Sequence, residues 1–191
     1  MNYINTTVIT GLVHHLNKKK NSDFFSFSIR HDNIWSDSTE RKDFLNARAF
    51  PAEVQELLKS LPENTPVRVK GSLRSSKGSG ELFLAVLEAE KLDALPDKPE
   101  NSVELSGNVH FVKAQAMGEN ATGQYIRFAV RQENHDTGRD FIVVRVYDDE
   151  QKKILAALND GDSVNVLGTM RSSRGSGVNY VRCTEIKQLG Q

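Results

Sequence analysis

Polar and apolar residues alternate over residues 24–30: Phe25, Phe27 and Ile29 share one face, and Phe24, Ser26, Ser28 and Arg30 share the other. That is the period of a strand lying against a core. Residues 43–50 alternate again, with Leu45, Ala47 and Ala49 inward and Phe44, Asn46, Arg48 and Phe50 outward. Residues 7–16 are β-branched and apolar around Gly11 and read as a strand. The period then changes. Val54, Leu57, Leu58 and Leu61 stand at i, i+3, i+4 and i+7 behind Pro51, which predicts a short amphipathic helix over 51–61. Residues 66–74 and 81–92 read as two further strands, joined by a Gly/Ser-rich hairpin tip at 74–80.

The whole pattern occurs twice. Arg74-Ser-Ser-Lys-Gly-Ser-Gly80 returns as Arg171-Ser-Ser-Arg-Gly-Ser-Gly177. Val67-x-Val69-x-Gly71 returns as Val164-x-Val166-x-Gly168, Asp43-Phe44 as Asp140-Phe141, and Gly11-x-Val13-His14 as Gly107-x-Val109-His110. The offset is 96 to 97 residues, too long for a solenoid repeat and right for a domain duplication. Between the copies lies Asp93-Ala-Leu-Pro-Asp-Lys-Pro-Glu-Asn101, whose prolines and acidic excess suit an extended linker. Three strands, a helix and two strands, in that order, predict an all-β protein with short helices: two tandem OB-folds, each a five-stranded Greek-key barrel with its helix between strands three and four. An SH3-like barrel would lack the helix at that point. The expected division is residues 1–92, a linker at 93–102 and residues 103–191.

Composition narrows the chemistry. Of 191 residues, 38% are hydrophobic and 26% charged, with Lys+Arg and Asp+Glu both at 25. This excludes a polybasic tail protein and an acidic disordered one. No apolar run approaches a membrane span, and the first ten residues lack the pattern of a signal peptide, so a cytoplasmic protein without membrane attachment is expected. With Cys183 alone there is no internal disulfide and no zinc site built on Cys pairs; this residue is expected in the core. His14 and His110 are repeat-equivalent, without the further ligands a metal site needs. No nucleotide-loop, hydrolase or deaminase motif occurs. The expectation is a non-enzyme without cofactor or metal.

The outward face of the third strand carries the candidate chemistry. It reads Phe44, Asn46, Arg48, Phe50 in the first unit and Phe141, Val143, Arg145, Tyr147 in the second. The second strands add Phe24 and Arg30, then Tyr125, Arg127 and Arg131. Rings stack on unpaired bases, and arginines neutralise phosphates or stack themselves. The hairpins carry Arg74 and Lys77, then Arg171 and Arg174, on flexible small-residue tips suited to a phosphate backbone.

At these residues the chain resembles the bacterial single-stranded DNA-binding protein family, in a tandem OB-fold form. The resemblance runs through Asn5-Thr-Thr-Val-Ile-Thr-Gly11, Asp43-Phe-Leu-Asn-Ala-Arg-Ala-Phe50 and Val67-x-Val-x-Gly-x-Leu-Arg74, and covers both units. It implies a stacking role for Phe44, where the family usually has Trp, and for Phe50, with Trp35 as a third aromatic. Arg74 and Lys77 would lie on the hairpin that wraps DNA, and Phe141, Tyr147, Arg171 and Arg174 would be the second unit's equivalents. The family's hairpin Trp falls at Gly78 and Gly175 here, which implies weaker or differently shaped binding. The chain stops at Gln188-Leu-Gly-Gln191, without the acidic, Phe-tipped tail that recruits repair partners in the family, so a plasmid- or phage-linked role joins replication, recombination and repair as an expectation. The family's four-fold assembly implies a homodimer, with residues 7–16 and 103–112 as its pairing edges. The alternative to sequence-independent coating of single-stranded DNA is an OB-fold protein-interaction or primosome-type accessory module with weak nucleic-acid binding. An OB-fold nuclease would need a carboxylate–Arg metal site.

Overall fold

The computed structural model describes residues 3–17, 23–34, 40–110, 116–120, 123–134 and 138–190. The first unit contains β1 (Asn5–Asn17), β2 (Phe25–Ile34), β3 (Glu40–Ala49), α1 (Ala52–Ser60), β4 (Pro66–Ser75) and β5 (Leu82–Lys91). β1 pairs antiparallel with both β2 and β4, β2 with β3, and β4 with β5. A parallel contact of β3 with β5, Ala47 opposite Leu84, closes the barrel. This is the five-stranded OB-fold the alternation predicts. The inward residues of all five strands form one core; Ile9, Ile29, Leu45, Val69 and Leu84 are fully buried. α1 closes one end of the barrel with Val54, Leu58 and Leu61. Truncating Leu58, fully buried there, removes about 2–5 kcal/mol by the usual cavity cost.

The second unit repeats the plan with β6 (Asn101–His110), β7 (Ala116–Asn120), β8 (Gly123–Asn134), β9 (Gly138–Val146), α2 (Asp149–Ala156), β10 (Ser163–Ser172) and β11 (Asn179–Gln188). β9 and β11 make the closing parallel contact, Val144 opposite Val181. Asp148 caps α2 by accepting from the Gln151 amide at 3.0 Å. Two details differ from the sequence reading. β7 is an added strand, a hairpin extension of β8 whose short length gave little periodicity to read. β6 begins at Asn101, inside the segment 93–102 expected to be linker.

Gly71 and Gly168 mark the bulges where β4 and β10 bend over their neighbours. A Cβ at either would run into a backbone carbonyl, that of Ala85 or Arg182. Only glycine permits that approach, which explains its recurrence in both copies.

The units are joined by β1 and β6, antiparallel, with Asn5 opposite Leu105, Thr7 opposite Val103 and Ile9 opposite Asn101. These are the edges expected to pair between copies of the chain. They are instead consumed inside it, because the linker brings the two first strands together and their unpaired amides need partners. Around this seam each unit makes the same bonds. Asn5 Nδ2 donates to the Leu73 carbonyl and Asn101 Nδ2 to that of Met170, at 2.8 and 2.9 Å, and each side-chain oxygen accepts the same residue's amide.

Candidate nucleic-acid interface

Two clusters stand on the outward face of each unit. In the first cluster, Phe44 lies opposite Arg30 across β3 and β2, and the His14 ring packs on it with centroids 4.9 Å apart. In the second unit, Phe141 lies opposite Arg131, with His110 at 5.1 Å. Each imidazole has a carboxylate beside it: Glu63 at 2.8 Å from His14 and Asp160 at 3.5 Å from His110. The repeat equivalence of the two histidines was the signal that they share a place.

The second cluster is an arginine held among three rings. The Arg48 guanidinium carbon lies 3.9 Å from the Phe83 ring centroid and 5.2 Å from that of Phe24, and Phe24 packs against Phe50 at 5.5 Å. Arg145 lies 3.9 Å from Tyr180 and 4.9 Å from Tyr125, and Tyr125 packs against Tyr147 at 5.2 Å. Every ring is Phe in the first unit and Tyr in the second. Cation–π attraction holds each guanidinium against its rings. Phe83 and Tyr180 are members that the sequence reading missed: they sit at the starts of β5 and β11, where successive residues are buried and the alternation between core and solvent is lost. Burial, and a hydrogen bond with Tyr147 that favours the neutral phenol, push Tyr180 up to about 12.

Phe44 and Phe50 are exposed, at 39% and 43%, as the alternation predicts. Phe24, Tyr125, Phe141 and Tyr147 are half-buried. Arg127 is exposed on the same face as Arg145. Trp35 lies outside the described residues.

The hairpins differ from expectation. Arg171 is buried, and its Nε donates to Asp43 Oδ2 of the first unit at 2.8 Å. The Ser172 amide and hydroxyl donate to Asp43 Oδ1 at 2.9 and 3.0 Å. Arg74 makes the same bond to Asp140 at 2.8 Å, with Ser75 in the place of Ser172. Burial holds the Arg171 guanidinium below its ordinary range, against the pull of Asp43. Arg74 and Arg171 are thus corrected from phosphate contacts to bolts between the units. Only Lys77 and Arg174, further along each tip, are exposed. Gly78 and Gly175, where the family has Trp, hold φ of 87° and 81°, a left-handed backbone that strains any larger residue.

Between the units these parts meet in a cleft of about 390 Å³, lined by Arg41, Lys42 and Phe44 of one unit and by Ser172, Ser173 and Arg174 of the other. Arg41 and Lys42 were not among the sequence candidates, because their closeness to the second hairpin exists only in the folded chain. Cys183 is buried, with its thiol pushed up to about 12 by burial. Among the described residues no group of His, Cys, Asp and Glu could hold a metal ion, and no helix is long and apolar enough to cross a membrane.

The architecture is similar to that of the wild-type single-stranded DNA-binding protein from Thermus aquaticus, with a TM-score of 0.77 over 100% of this chain and 95% of that one, at 14% identity. A deletion mutant of the same protein gives 0.74 over 99% and 96%, also at 14% identity. The fold is that of bacterial single-stranded DNA-binding proteins. No family model matches the sequence, and no curated protein matches it. In this tandem form both OB-folds present the same outward face, so the aromatic–arginine clusters occur at corresponding places in the two units.

Proposed function

We propose that the protein binds single-stranded DNA without sequence preference, as a non-catalytic coating protein acting in replication, recombination or repair. The observation that carries this reading is the repeated face: an exposed or half-exposed ring at each end of strand three, with a ring-held arginine between, in both units. Bases need flat apolar surfaces and phosphates need cations, and this face alternates the two at strand spacing. The stacking residues would be Phe24, Phe44, Phe50, Tyr125, Phe141 and Tyr147. The phosphate contacts would be Arg30, Arg48, Arg127, Arg131 and Arg145 with the tips Lys77 and Arg174; Arg74 and Arg171 drop out, being spent on Asp140 and Asp43. The binding units would be residues 1–92 and 103–191. A homodimer, of twice the 21.4 kDa chain mass, remains a proposal; with β1 and β6 paired inside the chain it would form through other surfaces.

Titration of labelled oligo-dT, single-stranded RNA and duplex DNA at two salt concentrations tests the reading. Tight, salt-sensitive binding of oligo-dT with weak duplex binding is expected. Duplex binding as tight as single-strand binding, or no binding of oligo-dT, overturns it.

A further inference from the structure

The seam between the units has two sides related by the repeat, and they are not alike. On one side lies the cleft of about 390 Å³ where Lys42 and Phe44 of β3 meet Ser173 and Arg174 of the second hairpin. On the other side the same positions hold Arg139, Phe141, Ser76 and Lys77. β3 is clamped to the second unit on the cleft side. The Phe44 and Asn46 amides donate to the Ser172 hydroxyl and to Asn179 Oδ1 at 3.2 and 2.7 Å, and Asn179 Nδ2 donates back to the Phe44 carbonyl at 3.1 Å. On the opposite side the Phe141 amide keeps the first of these bonds, to the Ser75 hydroxyl at 3.1 Å, but Leu82 stands in the place of Asn179. The wall that carries Lys42 and Phe44 is thus set in position before any ligand arrives, which lowers the ordering cost of binding.

Charge separates the two sides further. Every charged residue lining the cleft is a cation: Arg41, Lys42 and Arg174. The buried Asp43 is shared, with Arg171 Nε 2.8 Å and Arg41 Nε 3.4 Å from its oxygens, and Arg41 also donates to the Ser172 carbonyl. One carboxylate serves two guanidinium groups, so the cleft keeps an excess of positive charge. Asp32, opposite Lys42 on β2, is engaged by Arg30 at 3.2 Å. Among the described residues neither Lys42 nor Arg174 pairs with a carboxylate. On the other side Gly138 replaces Arg41, and Arg139 is paired with Glu133 at 3.1 Å. The Ser173 hydroxyl, in the lining of the cleft, is buried without a hydrogen-bond partner among the described residues, whereas Ser76 in the equivalent place accepts from Arg48 at 2.8 Å. A cleft walled by one sign of charge focuses its field on an anion, and a buried hydroxyl is costly until something bonds it.

Resting on the single-strand reading above, we infer that this cleft is a phosphodiester seat through which a bound strand crosses from one OB-fold to the other, on this side of the seam alone. A phosphate lies between Lys42 and Arg174 and accepts from the Ser173 hydroxyl, and a base stacks on Phe44. Arg41, held by Asp43 and the Ser172 carbonyl, contributes a fixed positive charge behind the phosphate.

The test is the salt dependence of binding a fluorescent oligo-dT of about 30 nucleotides, long enough for two OB-folds at up to about 16 nucleotides each. Lys42 and Arg139 are repeat equivalents and both are exposed, so their variants form a matched pair. Lys42→Ala is expected to make the log–log slope shallower by about 0.7, the share of one phosphate contact on a single strand. Lys42→Arg, which keeps the cation, should hold the slope, and Lys42→Ala combined with Arg174→Ala should make it shallower by about 1.4. Arg139→Ala should leave it unchanged, since Glu133 already meets that charge. An unchanged slope in Lys42→Ala, or an equal change in Lys42→Ala and Arg139→Ala, overturns the crossing site and, with wild-type binding intact, leaves the proposed function standing. A slope lost in Lys42→Arg as well makes Lys42 a structural residue and overturns the site too. No binding of oligo-dT by the wild-type chain overturns both readings.

Discussion

Asp43 and Arg171 stand 128 residues apart in sequence and 2.8 Å apart in space, both buried. The bond ties the third strand of one barrel to the hairpin base of the other. Asp140 and Arg74 return it in the opposite direction. The hairpins are thus not free arms: their bases are held at the seam, and only their tips can follow a ligand.

Asp43→Ala should therefore destabilise the chain strongly. Removing one partner of a buried pair costs about 3–5 kcal/mol, because the other charge stays buried without compensation. Asp140→Ala should cost less, since Arg74 keeps 20% of its side chain exposed. Urea denaturation measures both, and a loss below about 1 kcal/mol for Asp43→Ala would show the seam to be held elsewhere.

Phe44→Ala and Phe141→Ala should each weaken oligo-dT binding by about 1–3 kcal/mol, the worth of one stacked base, with little change in melting temperature. Variants that melt far lower yet bind as tightly per folded molecule would place these rings in the core and not on the interface.

Lys77→Ala combined with Arg174→Ala should leave stability unchanged and make the salt slope of long-oligo binding shallower by about 1.4. Base preference should not move, because backbone contacts carry no sequence information. Arg171→Ala should behave in the opposite way, lowering stability. A salt slope altered by Arg171→Ala in a fully stable protein would contradict the bolt assignment.

Alkaline pH should unfold the protein in a defined window. Cys183 and Tyr180 are pushed up to about 12 from ordinary values of 9.0 and 10.0. Between those limits the unfolded chain ionises while the folded chain stays neutral. Stability is thus full below about pH 9 and falls as pH rises toward 12. Cys183→Ala and Tyr180→Phe, the latter supplying the ring that Phe83 places in the first unit, should flatten that decline in melting curves. Folded wild type should resist thiol alkylation near pH 8, where the buried thiol is not a thiolate; rapid labelling without unfolding would refute the burial.

Gly71→Ala and Gly168→Ala should each lose about 1–3 kcal/mol, the range for forcing atoms into a packed site. The obstructing atom is a backbone carbonyl and cannot rotate away. Calorimetry checks this, and a neutral result would mean that the bulges relax without cost.

Much of this protein is written in local pattern. Alternation over 24–30 and 43–50 places Phe44, Arg48 and Phe50 outward because side chains in a strand change face at every residue, whatever the strand pairs with. The helix of residues 51–61 follows from the 3.6 period, and the duplicated barrels follow from the repeat offset. Which arginines are available to a ligand is a different kind of fact. Arg74 and Arg171 look identical to free hairpin cations until Asp140 and Asp43 arrive from the other unit. Arg48 and Arg145 occupy the same place in the pattern, yet Arg48 has the Glu81 carboxylate 4.0 Å away and Arg145 has Arg127 opposite it. The pairing of β1 with β6 likewise depends on how the linker returns the chain. Periodicity reports the direction of a side chain from its own backbone; charge compensation depends on atoms brought within about 4 Å by barrel closure and pairing across the seam, and only the tertiary structure decides those.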